Sequence, residues 1–470
     1  MLRLHRLNTR MTRQPLFDID KISREIKILH GDSKRVSWNP CDGFTFDLII
    51  PPTVYPPRED TDLLAKRIIS LGNGSGKKFL EIGCGSGALS ILASSLGWDV
   101  FSCDINPYAV AATYGNLRTN KLTGLVKEGG IGPEKFPFEG HYDLIIWNLP
   151  YISDSDVSEV LGPMEEAGLV DTGEKRLCER TLTKAVKANL LSKEGRILLL
   201  SKNPKLKSDN LASRVWDELE FDDGEKIYIS CHWHPFSNSP NLFLETTKST
   251  NDDLEKFESV GAHVYTSNQT MGRGRRSRSW DSGLGSYAGS WIVHNGDNVN
   301  AGLLSLAGGL AVLNSINSER VRLKWPNDLY IDNRKLCGIL VEGYSKSEKT
   351  KAIMGIGINL TTKTIQNPGY AYLEEIQDIG LQEMDKILNT EVSSLLEVSD
   401  ALPPVNFEVI RKLVLEKMRH FGVPRYKGKT FEDFTLNSNG ELIIGPYTIN
   451  DGDDVEWVQS SRMASSGSDS

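Results

Sequence analysis

No apolar run in this sequence approaches the ~20 residues that a membrane-crossing helix needs, so no spanning segment is predicted. There is no CxxC pair either: Cys41, Cys84, Cys103, Cys178, Cys231 and Cys337 are scattered along the chain. That spacing excludes a zinc ribbon or a disulfide frame and predicts reduced, buried thiols in a cytoplasmic protein. A surplus of positive charge is also missing, since 54 Lys and Arg stand against 62 Asp and Glu, for a net charge of -8 and a pI near 5.7. A protein that coats nucleic acid is thereby excluded, a local basic groove apart. No internal repeat is visible.

What is present is an ordinary globular composition, 39% hydrophobic and 25% charged, over 470 residues. That length is too great for one core and predicts two or three domains. Residues 1–14 carry Arg3, Arg6, Arg10 and Arg13 and no acid, but lack an apolar face, and are expected to be a disordered extension rather than a transit peptide. The polar turn Ser237 to Asn241 lies between two strand-like runs, Lys226 to Trp233 and Leu242 to Thr246. It divides a first domain, 15–236, from a second, 241–421. Beyond a helix-like stretch from Phe407 to His420, apolar and polar residues alternate between turns at Ser438-Asn439-Gly440 and Asn450-Asp451-Gly452. This predicts a small β-domain over 422–459, followed by a disordered tail, 460–470.

Between Lys77 and Tyr151 strand and helix patterns alternate, which predicts an α/β domain with a parallel sheet and a ligand beyond the strands' carboxyl ends. Gly83, Gly85 and Gly87 form a turn where backbone and ligand can approach closely, and Asp104 closes the next strand, where a carboxylate can accept from both ribose hydroxyls. The spacing is GxGxG, preceded by Glu81, and not the GxGxxG of nicotinamide-binding folds. At the end of a later strand stands Asn148-Leu149-Pro150-Tyr151. An Asn oxygen and a neighbouring carbonyl can accept both protons of a planar amino group and hold its nitrogen in line with a methyl donor, while the aromatic ring lies along the flat substrate.

These residues resemble the class I S-adenosylmethionine-dependent methyltransferases over roughly residues 45 to 235. With Val54-Tyr55-Pro56-Pro57-Arg58-Glu59-Asp60-Thr61 upstream, they resemble in particular the release-factor glutamine methyltransferases. The resemblance implies a Rossmann-like fold in which Glu81, Gly83, Gly85 and Asp104 hold S-adenosylmethionine, with Glu59, Thr61 and Asn148 beside it. It further implies that Asn148, Pro150 and Tyr151 hold a glutamine amide of a peptide-chain release factor. Leu149 departs from the two prolines usual in that family, and NLPY is typical of the ribosomal-RNA adenine dimethyltransferases, so adenine in nucleic acid is the rival acceptor. An acidic residue common after the third strand is replaced near Gly129-Gly130. A further reading is an inactive fold that serves for docking or dimerisation.

In the second half, Arg273, Arg275, Arg276 and Arg278 crowd a glycine-bearing loop that ends at Trp280. Guanidinium forks in that density suit the oxygens of a small anionic ligand. Lys324-Trp325-Pro326-Asn327-Asp328 and Arg334-Lys335 follow, and the glycine-interrupted strand Ile353 to Leu360 suits close passage beside a ligand. Together these resemble the biotin–protein ligases, over residues 241 to about 458. The resemblance implies an α+β catalytic domain and a small C-terminal β-barrel-like domain. Biotin would be held by Ser249, Thr250, Asn251, Gln269, Arg273, Arg275 and Lys335, and the nucleotide by Arg278, Trp280, Asn327, Asp328 and Asn359. The implied reaction uses ATP and Mg2+ to form biotinyl-5'-AMP, with Arg275 and Lys335 as catalytic cations and no residue assigned as a dedicated metal ligand. The biotin then passes to a lysine on the biotin carboxyl carrier domain of a carboxylase. Ser277 replaces a glycine usual in the loop. Because a methyltransferase pattern stands where repressor-type ligases carry a helix-turn-helix, no sequence-specific DNA binding is expected, nor any membrane partner. Cys231-His232-Trp233-His234 lacks ligand spacing and is expected to be structural. Glu165-Glu166 and the charged stretch Glu342 to Lys351 are expected to be solvated surface.

Overall fold

Residues 78–82 and 142–148 are largely apolar stretches followed by turn formers, the pattern of strands covered on both faces. They become β3 (Lys78–Ile82) and β6 (Tyr142–Asn148), which pair in parallel with Leu80 opposite Ile145. The computed structural model describes residues 23, 26–132, 135–150, 152–153, 170–171, 176–208, 210–280, 282, 285–346, 349–362 and 368–458. Residues 1–14, Tyr151, Glu165-Glu166 and 460–470 lie outside these. Two compact units emerge, Met1–Leu206 with Asp217–Ser230, and Lys207–Trp216 with Cys231–Ser470. No helix of the described residues is long and apolar enough to cross a membrane.

In the first unit an antiparallel hairpin, β1 (Lys34–Trp38) with β2 (Phe46–Ile50), precedes helix α1 (Glu59–Ser70). After β3 come α2 (Ala88–Ser95), β4 (Asp99–Asp104), α3 (Pro107–Thr119) and β5 (Leu125–Glu128). Proline at the first position of α3 needs no hydrogen-bond partner, and Asn106 caps that helix by accepting from the Tyr108 amide. Beyond β6 lie the short strands β7 (Ile152–Ser153) and β8 (Val170–Asp171), then α4 (Leu177–Lys187), β9 (Leu191–Ser201), β10 (Ala212–Glu220) and β11 (Lys226–Trp233). The sheet order is β10-β11-β9-β6-β3-β4-β5, and β9, β6, β3, β4 and β5 run parallel. The carboxyl ends of β3, β4 and β6 therefore reach the same edge, where such sheets bind ligands.

The second unit is built on a sheet ordered β12-β13-β14-β18-β17-β16-β15. Its long strands are β14 (Ser286–Gly296), β17 (Arg334–Lys346) and β18 (Lys349–Asn359), with β12 (Asn241–Leu244), β13 (His263–Thr266), β15 (Val321–Lys324) and β16 (Asp328–Ile331) outside them. One short helix, α5 (Thr250–Asp253), lies before β13. Helix α6 (Ala301–Ile316) is apolar nearly all round, as a helix packed in a core must be, and Leu303, Leu306 and Leu310 join the cluster formed by Leu323, Ile339 and Met354. Helices α7 (Leu381–Leu396) and α8 (Phe407–Phe421) follow. A Cβ at Gly422 would lie 2.5 Å from the Val458 carbonyl, so the chain leaves α8 where only glycine fits. Two three-stranded sheets close the chain. The first orders β20 (Lys429–Thr430), β19 (Val423–Tyr426) and β24 (Glu456–Val458); the second orders β21 (Phe434–Leu436), β22 (Leu442–Ile444) and β23 (Tyr447–Ile449).

Candidate functional site

In the second unit a cavity of about 190 Å³ opens beside β17 and β18. Its wall contains Ser249, Thr250, Asn251 and Gln269 on one side, and Asn327, Asp328 and Lys335 on another. Arg273, Arg275, Arg278 and Trp280 from the arginine loop complete it. Arg275 and Lys335, the two cations expected to act together, thus face one space.

The side chains on the Ser249-to-Asn251 side form a continuous hydrogen-bonded chain. The Thr250 amide and hydroxyl donate to Gln269 Oε1 at 2.9 and 3.1 Å, and Thr250 Oγ1 lies 2.6 Å from Ser290 Oγ. Ser290 donates to Asn251 Oδ1 at 2.6 Å, and Asn251 Nδ2 donates to Glu342 Oε2 at 2.6 Å. Glu342 also receives Arg273, through Nε at 3.2 Å and NH2 at 3.0 Å, while Arg273 grips Asp252 at 3.0 and 2.6 Å. The expectation of solvated surface from Glu342 to Lys351 therefore fails at its two ends, while Gly343, Ser345 and Lys349 between them are exposed. Glu342 anchors the base of the arginine loop, and Lys351, 8% exposed, donates to the carbonyls of Glu255 and Phe257 at 2.6 and 2.8 Å. Strand alternation turned these residues inward, which a local run of charge cannot reveal.

The loop itself is strained at its centre. Arg276 has φ +57°, and Gly274 donates to the Arg278 carbonyl at 2.7 Å. Three of its arginines have acidic partners: Arg273 as above, Arg276 with Asp451 and with Asp453 at 3.0 Å, and Arg278 with Asp453. These pairs hold the Asp453 carboxyl below the usual carboxylate range. Arg275 has no ion pair among the described residues, and partial burial, then the neighbouring Arg276, lowers its pKa. A guanidinium held this way favours an incoming anion. Sequence reasoning missed Asp252, Asp451 and Asp453; of these only Asp451 falls in a turn read from the sequence, Asn450-Asp451-Gly452.

Lys335 Nζ lies 2.7 Å from Asp328 Oδ1 and 5.5 Å from the centre of the Trp280 ring. The indole of Trp280 rests on glycine: a Cβ at Gly357 would lie 2.5 Å from its Nε1 and one at Gly338 3.1 Å from its ring. At Gly355 a Cβ would come 2.7 Å from Asn251 Oδ1. The glycine interruptions of β18 are thus places where the site presses on the strand. Asn359 departs from expectation. It is absent from the cavity wall, and its amide donates to the carbonyls of Lys335 and Ala371 at 3.1 and 3.2 Å. Its donors brace the backbone that carries Lys335 instead of facing a nucleotide. Ser277 lies in the loop's single turn, Arg275–Ser277. No group of three or more His, Cys, Asp or Glu side chains that could hold a metal forms among the described residues. His232 is fully buried, and burial drives its ring down to about 3, so it stays a neutral core side chain.

At the carboxyl edge of the first unit's sheet, Gly83, Gly85 and Gly87 all have positive φ, from +52° to +81°. A Cβ on Gly83 would meet Trp147 at 2.6 Å and one on Gly87 would meet Thr113 at 2.9 Å, but above Gly85 nothing lies nearer than 3.8 Å. That open, backbone-lined step suits a ligand. Asp104 accepts from the Gly85 amide and the Asn106 amide, both at 2.9 Å, and burial raises its pKa. Glu81 is only 5% exposed, and one of its oxygens accepts the Ser90 hydroxyl, with burial pushing its carboxyl up to about 8. It braces α2 against β3 from within. Thr61 is buried at the start of α1, Glu59 beside it is exposed, and Pro150 follows β6. Asn148 Nδ2 donates to Asp60 Oδ2 at 2.9 Å.

Two family models match the chain. The biotin/lipoate A/B protein ligase family model matches residues 243–359, and the ribosomal protein L11 methyltransferase model matches residues 63–150. The bifunctional ligase/repressor BirA of Escherichia coli (strain K12) is 38% identical over 118 residues, 23% of this chain and 36% of that protein. A putative protein N5-glutamine methyltransferase of Methanocaldococcus jannaschii is 34% identical over 117 residues, 24% of this chain and 55% of that protein. The chain thus spans between about a third and just over half the length of these curated relatives. A solved biotin protein ligase from Aquifex aeolicus, in complex with biotin and ATP, aligns at 24% identity and a TM-score of 0.38 over 47% of this chain and 99% of that one. The polypeptide therefore joins a methyltransferase-family domain, matched in its first half, to a biotin/lipoate A/B protein ligase family domain in its second.

Proposed function

We propose that the chain is a bifunctional enzyme that biotinylates a carrier-domain lysine with ATP and methylates a protein glutamine amide with S-adenosylmethionine. What supports the ligase activity above all is that Arg275, without an ion pair among the described residues, lines the same cavity as Lys335. In that reaction an oxygen of the biotin carboxylate bonds to the α-phosphorus of ATP and pyrophosphate leaves. Two anions must meet, and Arg275 and Lys335 neutralise the charge that builds up between them. The acceptor lysine then attacks the acyl carbon of biotinyl-5'-AMP and AMP leaves, so the enzyme needs no nucleophile of its own. Asp328 is the carboxylate that would meet Mg2+ arriving with the nucleotide phosphates, and the ion would supply further charge neutralisation there. The arginine loop excludes water from the mixed anhydride. The acceptor is the biotin carboxyl carrier domain of a carboxylase.

For the first unit, S-adenosylmethionine when bound supplies a methyl group whose bond to sulfur breaks, with the pair left on sulfur, as the acceptor nitrogen bonds carbon and sheds a proton to water. Asp104 and the Gly83-to-Gly87 turn would hold that cofactor. Asn148 has a buried Oδ1 without a partner among the described residues, which suits an incoming N–H group. A release-factor glutamine is the proposed acceptor; Leu149 in place of proline keeps nucleic-acid adenine as the second reading.

Incubating the full chain with biotin, ATP and a carrier domain tests the ligase activity by pyrophosphate release and carrier biotinylation. Labelled S-adenosylmethionine with a release factor or ribosomal RNA tests the other. Absence of pyrophosphate release would overturn the first assignment, and transfer to RNA alone would replace the second.

A further inference from the structure

Asn148 ends β6 with an unusual division of labour between its two amide atoms. Its Nδ2 donates to Asp60 Oδ2 at 2.9 Å, whereas its Oδ1 is buried and finds no partner among the described residues. Asp60 is itself 2% exposed, at the second position of α1. Its other oxygen is also asked to accept, from the Thr61 amide at 2.6 Å and the Thr61 hydroxyl at 3.2 Å. Every polar contact of this carboxylate thus brings it a hydrogen. A carboxylate that only accepts can face only the amino end of an asparagine, so Asp60 selects one of the two amide orientations. The opposite orientation would set two oxygens against each other in a buried site.

The surroundings reinforce the selection. The Leu149 amide is committed to the Leu200 carbonyl at 3.2 Å, and Pro150 has no amide hydrogen to give. Neither residue following Asn148 can donate to Oδ1 through its backbone. Among the described residues nothing relieves the desolvation penalty of that oxygen, so a donor brought by a ligand would be favoured there.

We propose that Asp60 is a positioning residue for methyl transfer: it locks Asn148 with its oxygen offered to the methyl acceptor, which restricts that acceptor to a nitrogen bearing hydrogen. The inference rests on the methyltransferase reading of the first unit and adds to it the residue that sets the polarity of its acceptor site.

The experiment uses the full chain. In Asp60→Asn, position 60 can present either an oxygen or an amino group, so the Asn148 orientation is no longer dictated. We expect methyl-transfer kcat to fall by about tenfold or more, with S-adenosylmethionine affinity by calorimetry and Tm little changed. Adding Asn148→Asp to that variant restores a donor at 60 facing an acceptor at 148. The double variant should transfer methyl faster than Asn148→Asp alone, in which two carboxylates oppose each other. An Asp60→Asn kcat within twofold of the native value, or no recovery in the double variant, overturns the proposal.

Should either variant fail to fold, the native chain itself decides. With 15N-asparagine labelling, and Asn148→Ser to identify the resonance, the Asn148 amino protons should exchange with solvent far more slowly than those of exposed asparagines. Exchange at the exposed rate overturns the lock. A native chain that transfers methyl to no amide or amine sinks the activity reading instead, while the exchange measurement still judges the Asp60–Asn148 pair.

Discussion

Adding one methyl group at a time to the glycines of β17 and β18 provides a graded test of the ligase cavity. At Gly357 an alanine Cβ would lie 2.5 Å from Trp280 Nε1 and Cε2. The ring cannot slide aside freely, because it also lies over Gly338, the cross-strand partner of Gly357, where a Cβ would come within 3.1 Å, and Lys335 covers its face. Relief requires a shift of about 1 Å in the residue that ends the arginine loop, and overpacking of this kind costs about 1–3 kcal/mol. If that cost falls on the closed, ligand-bound arrangement, kcat/KM for biotin transfer drops by about 5- to 160-fold. Gly355→Ala places its methyl 2.7 Å from Asn251 Oδ1, so its penalty should appear in the KM for biotin. Gly343→Ala, on the neighbouring strand, meets nothing nearer than Thr350 Cγ2 at 3.5 Å, an ordinary contact, and should be silent. The assay is pyrophosphate release at varied biotin and ATP, with Tm measured on each variant. Native activity in Gly357→Ala, or equal damage from Gly343→Ala, would refute the packing argument.

Arg275→Ala should lower the rate of adenylate formation by about a hundredfold or more, the scale of losing one preorganised charge. Arg276→Ala, whose partners are partly exposed ion pairs, should cost less than about fivefold in the same assay. Lys335→Ala should abolish pyrophosphate release while leaving S-adenosylmethionine binding, followed by calorimetry, intact. Raising salt should loosen the loop by screening Arg276 and Arg278 from Asp453, seen as faster proteolysis at Arg275 to Arg278. Glu81 titrates near 8 in the fold and near 4.5 when unfolded, so its contribution to stability is fully present below about 4.5 and is lost as pH rises towards 8. Glu81→Gln should therefore flatten the fall in the first unit's Tm between pH 5 and 8, and an unchanged slope would count against the assignment.

Much of the fold was legible because strand burial and glycine turns leave local marks. The runs now seen as β3, β4 and β6 carry apolar centres, at Phe79 and Leu80, at Val100 and Phe101, and at Leu144 to Trp147, and the GxGxG turn follows β3 directly. The arginine loop was legible for the opposite reason, since so dense a positive charge requires counter-ions. What the sequence hid is who supplies them. Asp252 is 21 residues from Arg273 and Glu342 is 69, while Asp453 lies 175 residues from Arg278. Asn359 illustrates the same limit in reverse. Its residue type suits a nucleotide, yet only the register of β18 shows its amide spent on two carbonyls. Asp60 sits between Glu59 and Thr61 in a polar run, and nothing local marks it as the buried member.

The pairing of Arg276 and Arg278 with Asp451 and Asp453 makes the terminal pair of sheets a component of the flap and not an appendage. Cutting the chain after α8 would leave a crowd of guanidinium groups repelling one another over an empty pocket. A minimal ligase excised for labelling purposes would need to keep the stretch through Val458, or to carry replacement anions grafted elsewhere on its rim.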